Sequence, residues 1–199
     1  LVLGAKATLP CVGLVTPMDV IQFVPTQLGE ATSGAFRWYF DGSDVGLAAS
    51  GEKIDALSYF VNADGSQRLR LSTTGVAKVT HEAGGTLTAQ DEDLIVFVIG
   101  TTGATTSGRW LATLHLDGSA IPGLAAKDFN GYAHDGLTFS KYILITGSFT
   151  IGGVSGNGKS VLKLTPDGAA VGGHRVSLVT WLAPGATFPT NVDSLEIIR

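Results

Sequence analysis

The sequence predicts an all-β fold, and within that class a β-propeller of four-stranded antiparallel blades. Three blades fit the chain, one of them built from both termini. Three observations lead there. Apolar and polar residues alternate with a period of two in many short runs, as in Arg68-Leu69-Arg70-Leu71 and Ser160-Val161-Leu162-Lys163-Leu164. Turn-forming clusters separate the runs: Asp41-Gly42, Asp64-Gly65, Gly84-Gly85, Asp117-Gly118 and Pro166-Asp167-Gly168. Finally, an ordered set of markers occurs three times, and repetition at such a period is the mark of a modular architecture.

The markers define the elements in order. Trp38, Trp110 and Trp181 lie 72 and 71 residues apart, each on a strand-like segment. Before them come Asp19 to Phe23, Asp93 to Phe97 and Ser160 to Leu164; after them come Asp55-Ala56-Leu57, Asp135-Gly136-Leu137 and Asp193-Ser194-Leu195. The most complete copy therefore has strands near 54–61, 68–73, 93–98 and 109–116. A second copy has them near 136–140, 142–148, 160–165 and 176–182. The third is split: 193–198 supplies its first strand, and 1–5, 20–24 and 36–40 the rest. The blades then span 54–116, 136–182, and 193–198 with 1–40. The helix-friendly stretches, 46–53 and 123–127, suffice only for single turns.

Two phrases resemble known bacterial repeats. Tyr142 to Thr150 (YILITGSFT), Gly152-Gly153 and Val161 to Gly168 (VLKLTPDG) are similar to the delta-type propeller repeat, departing from its ending at Lys163 and Thr165. Trp38 to Leu47 (WYFDGSDVGL), followed by Ile54-Asp55-Ala56-Leu57, resembles a phrase of secreted bacterial repeat proteins. The resemblances cover about 27 and about 40 residues. They imply a propeller in a secreted or cell-surface setting, and no catalytic duty.

Composition narrows the function. The 199 residues are 44% hydrophobic and 15% charged, with a net charge of −4 and no basic cluster. That balance argues against nucleic acid, anionic membrane and disorder. The densest apolar run, Leu94 to Ile99, is far shorter than the roughly 18 residues of a bilayer span, so no membrane insertion is expected. Cys11 is alone, which excludes an internal disulfide. With 27 glycines and no initiator methionine, the chain reads as a processed or excerpted product, extracellular or at the cell surface.

No catalytic, metal or cofactor constellation stands out. Gly153 to Ser160 matches G-x-x-x-x-G-K-S, but a phosphate-binding loop needs a helix after it, and a short alternating strand follows instead. The carboxylates of Asp91-Glu92-Asp93 and of Asp41 and Asp44 lack the spacing of a calcium loop and read as turn chemistry. His81, His115, His134 and His174 form no zinc motif, and no serine sits in a G-x-S-x-G elbow. The function expected is a non-enzymatic structural or interaction module. A carbohydrate-binding propeller is the alternative, with Trp38, Trp110 and Trp181 as stacking platforms and Asp41, Asp44 and Asp117 beside them. A propeller glycoside hydrolase is a third, requiring two carboxylates about 5–10 Å apart in a pocket. Three blades are fewer than propellers use, which leaves three arrangements: a homodimer closing a six-bladed ring, a piece of a larger assembly, or an unusual closed monomer.

Overall fold

A computed structural model describes residues 1–179; Trp181 and the strand expected at 193–198 lie outside the described residues. The described chain is all-β, a set of small antiparallel sheets joined by turns.

One four-stranded sheet contains β5 (Ile54–Val61), β6 (Gln67–Thr73), β9 (Ile95–Thr101) and β10 (Ser107–Trp110), in the order β10-β9-β6-β5. Between its two middle strands the chain leaves to form a separate hairpin, β7 (Ala77–Thr80) with β8 (Thr86–Ala89). The second sheet repeats this plan. It contains β11 (Phe129–His134), β12 (Lys141–Ile145), β15 (Val161–Pro166) and β16 (His174–Leu178), ordered β11-β12-β15-β16. Its excursion is the hairpin of β13 (Phe149–Ile151) and β14 (Val154–Gly156). Ahead of both stands the latter half of the same plan: a hairpin, β1 (Ala7–Leu9) with β2 (Gly13–Val15), then the pair β3 (Val20–Gln27) and β4 (Ser33–Phe40).

The sheets pack face to face, and the period-two alternation decides which residues meet. Leu69, Leu71, Ile95, Phe97 and Trp110 point from the first four-stranded sheet towards Val20 and Phe40 of the β3–β4 pair. Ala56 and Leu94, on its other face, pack with Tyr132, Ile143, Ile145, Leu162 and Leu164 of the second sheet. Both faces of the middle sheet are thus buried. This is why β9 is more apolar than the half-buried strands the alternation implies.

Two elements depart from expectation. Residues 2–5 form no strand; Leu1 alone exchanges backbone hydrogen bonds of 2.9 Å with Ile21. The first strand of the second sheet is Phe129–His134, not 136–140. Asp135-Gly136-Leu137 forms the turn that follows it, with Asp135 accepting from the Leu137 N–H at 2.9 Å and from the Thr138 hydroxyl at 2.7 Å. A short polar side chain one residue past a strand end satisfies turn donors in this way. The true counterpart of Asp55 is Asn130. Each sits in a bulge at the start of its strand, between Ile54 and Ala56 and between Phe129 and Gly131.

Candidate functional site

The residues singled out as candidate ligands serve mostly to hold the units together. Asp41 accepts the N–H and hydroxyl of Ser43 at 3.0 and 2.7 Å, and Asp117 accepts the hydroxyl of Ser119 at 2.6 Å. Asp44, though exposed, takes the backbone N–H of Thr106 at 2.7 Å, while the Thr106 hydroxyl receives the N–H of Asp41 at 2.8 Å. The turn at 41–45 is therefore latched to the β9–β10 end of the next sheet. Trp110 belongs to the same latch. It is 2% exposed, packs tilted against Phe97 with ring centroids 4.9 Å apart, and donates its indole N–H to the Val45 carbonyl at 2.8 Å. A ring so enclosed offers no face to a sugar.

Trp38 is half-buried and donates to the Val12 carbonyl at 3.1 Å. The two tryptophans are not equivalent in register. Trp110 opposes Phe97, whereas Phe36 opposes the corresponding Phe23, and Trp38 opposes Ile21. The near-equal spacing of Trp38 and Trp110 thus conceals a shift of two residues. The phosphate-loop look-alike is also a turn: Asn157 and Ser160 close it with a 2.8 Å backbone hydrogen bond, and β15 follows.

A further feature with room for a ligand was not among those candidates. A cavity of about 900 Å³ runs along the neighbouring first strands β5 and β11, beneath the N-terminal residues. Its walls include Asp55, Ser58, Tyr59, Asn130, Tyr132 and His134. The strand starts carry acid and the strand ends carry base, so the cavity lies between two polar clusters of opposite character.

At the acidic end, Asp55 faces Asp128. No donor of the described residues reaches either Asp55 carboxyl oxygen or Asp128 Oδ1, and all three oxygens are closed off from solvent. Two carboxyl groups in such a space oppose each other's ionisation. Burial and the adjoining Asp128 carboxyl raise Asp55 to about 9. It is therefore an acid that stays neutral at pH 7.

At the basic end, Arg70 of β6 and His115 meet Tyr132, His134, Lys141 and His174 of the second sheet. The His115 ring nitrogen lies 3.1 Å from the Tyr132 hydroxyl, and its ring stands edge-on to His134 at 5.9 Å between centroids. Lys141 Nζ lies 3.0 Å from His174 Nε2. Arg70 lies over the Phe60 ring, 3.5 Å from its centroid. Burial, then the cations Arg70 and Lys141, push His115 down to about 3 and His134 down to about 4.

Sequence reasoning missed both clusters for one reason. Their members come from segments up to about a hundred residues apart in the chain, and no local spacing announces them. Among the described residues no group of three or more His, Cys, Asp or Glu is placed to hold a metal ion. No protein-family model, curated protein or solved structure matches the chain.

Proposed function

We propose that the chain is a non-enzymatic interaction module of propeller type, its four-stranded units set radially about the cavity along β5 and β11. The observation that carries this reading is the adjacency of the two first strands. In a propeller the innermost strand of each blade lines the central channel. Here β5 and β11 line one cavity together, while the later strands of each sheet extend away from it.

A repeated clamp supports the same reading. Asp19 accepts the Thr16 N–H at 2.7 Å and the Gly42 N–H at 3.0 Å. Asp93 does the same with Gln90 at 2.8 Å and Gly118 at 2.9 Å. Each clamp joins the turn before a third strand to the turn after a fourth, so each unit closes on itself and then leans on the next. The carboxyl pair suits this reading better than hydrolysis. Asp55 and Asp128 adjoin each other with oxygens closed off from solvent, whereas glycosidase carboxyls stand roughly 5–9.5 Å apart around a water or substrate.

Ring closure by a second copy, in an extracellular or cell-surface setting, completes the proposal. Light scattering with negative-stain microscopy tests it. The expected particle has about twice the 20.5 kDa chain mass and a ring outline with a central hole. A monomer with a ring outline removes the dimer and keeps the module; a solid two-layer particle overturns the radial arrangement itself.

A further inference from the structure

The basic cluster has a property that neither the packing nor the proposed module requires. Arg70 is 6% exposed and Lys141 8% exposed, yet neither makes an ion pair among the described residues. Arg70 Nε has no hydrogen-bond partner. Buried cations in folded proteins are paired almost without exception, because desolvating an unpaired charge is strongly unfavourable. The charges acting on His115 are those of Arg70, Lys141, His134 and His174, with no carboxylate among them. The nearest acid along the chain, Asp135, already accepts from Leu137 and Thr138 in its turn.

We propose that the space between the two sheets at Arg70, His115, His134 and Lys141 is a binding site for a small oxyanion, a phosphate, sulfate or carboxylate group. The sheet register brings the donors together. Ser58 opposes Arg70 across β5 and β6, and His134 opposes Lys141 across β11 and β12. Directly opposed residues point to one face, and in each pair that face is turned to the other sheet. Ser58, Tyr132 and His134 also line the large cavity, so the cluster borders an open route for a ligand. Guanidinium and ammonium groups are the usual donors to such anions, and their hydrogen bonds are strengthened by charge. Two imidazoles complete the set. Unliganded, they are held neutral by burial and by the surrounding cations; a bound anion reverses that influence and lets them take up protons. Tyr132 and His174 face the same space, the first donating or accepting at His115 and the second at Lys141.

Thermal denaturation and calorimetric titration of the whole chain, with sodium phosphate, sodium sulfate and sodium acetate as separate arms and sodium chloride at matched ionic strength as control, test the site. Stabilisation by at least one oxyanion beyond the chloride control is expected, tighter at pH 5.5 than at pH 7.5. Acetate acting as well as phosphate identifies a carboxylate-bearing ligand; phosphate or sulfate acting alone identifies a tetrahedral one. Lys141→Met and Arg70→Met should each weaken binding by about tenfold or more. Without added anion Arg70→Met should melt no lower than the parent, since it removes a buried charge that no carboxylate of the described residues pairs, and a Met there still packs on Phe60. Should Arg70→Met fail to fold, Lys141→Met and the ring-proton shifts of His115 and His134 on titration carry the test. Stabilisation no greater than by chloride, or binding unchanged in the folded variants, overturns the proposal.

Discussion

Single residues carry the strongest constraints in this molecule, and several can be checked one at a time. Gly118 is required by close approach: a Cβ there would come within 2.2 Å of the Glu92 carbonyl oxygen, a backbone atom that cannot step aside. Gly118→Ala should destabilise by about 2–3 kcal/mol in urea denaturation, while Gly136→Ala, where a Cβ meets nothing within 4 Å, should lie within about 1 kcal/mol of the parent. Asp93→Ala strands the N–H groups of Gln90 and Gly118 and should cost about 1–3 kcal/mol by the same measurement. Asp55 gives a pH signature. Its folded value is raised to about 9, far above that of the unfolded chain, so the folded state keeps a proton that the unfolded state releases. Its contribution is complete below about pH 4 and is lost as pH rises towards 9. Asp55→Asn is uncharged at every pH, so the difference in urea midpoint between pH 5 and pH 8.5 should shrink; an unchanged difference removes Asp55 as the cause.

At the scale of elements, the strands of the first sheet were the most legible part of the sequence. Residues 68–73 alternate between turn signals and 54–61 lie between such signals, and the structure puts β5 at Ile54–Val61 and β6 at Gln67–Thr73. Alternation could not fix which copies correspond. Asp135-Gly136-Leu137 imitates Asp55-Ala56-Leu57 in residue type, but Asp135 caps a turn and Asn130 takes the bulge, because an amide and a carboxylate both serve there as short polar side chains. The tryptophans misled similarly: the irregular stretch 111–115 absorbs two residues, so equal spacing along the chain is not equal position in the sheet. The candidate site was the least legible, since an inter-sheet cluster depends on facing that no single segment encodes. Trp110 offers a check at this scale. It joins β10 to both Phe97 and the 41–45 turn, so Trp110→Ala should cost about 3–5 kcal/mol in urea denaturation, whereas Trp38, half-buried, should cost less.

Across the whole molecule, stability comes from faces pressed together, with two of the units closed by an aspartate, Asp19 and Asp93, before they meet their neighbours. Acid and base act in opposite directions on this assembly. His115, held down to about 3 by burial and then by its cationic neighbours, refuses a proton that the unfolded chain accepts near pH 6.5. Its contribution is therefore present above about pH 6.5 and lost as pH falls towards 3, and a His115→Gln variant should resist acid better in a circular-dichroism titration. The stretch from Leu111 to Asp128 is the only covalent link between the two four-stranded sheets, yet it is not what holds them. Leu116, Ile121 and Leu124 lie in the core shared by both, and Gly118 is gripped by Asp93. Ala125 and Ala126 beyond them are exposed. A backbone nick between those two alanines should leave the halves joined as a tight noncovalent complex, so the polypeptide is suited to being split there and reassembled from two separately made fragments.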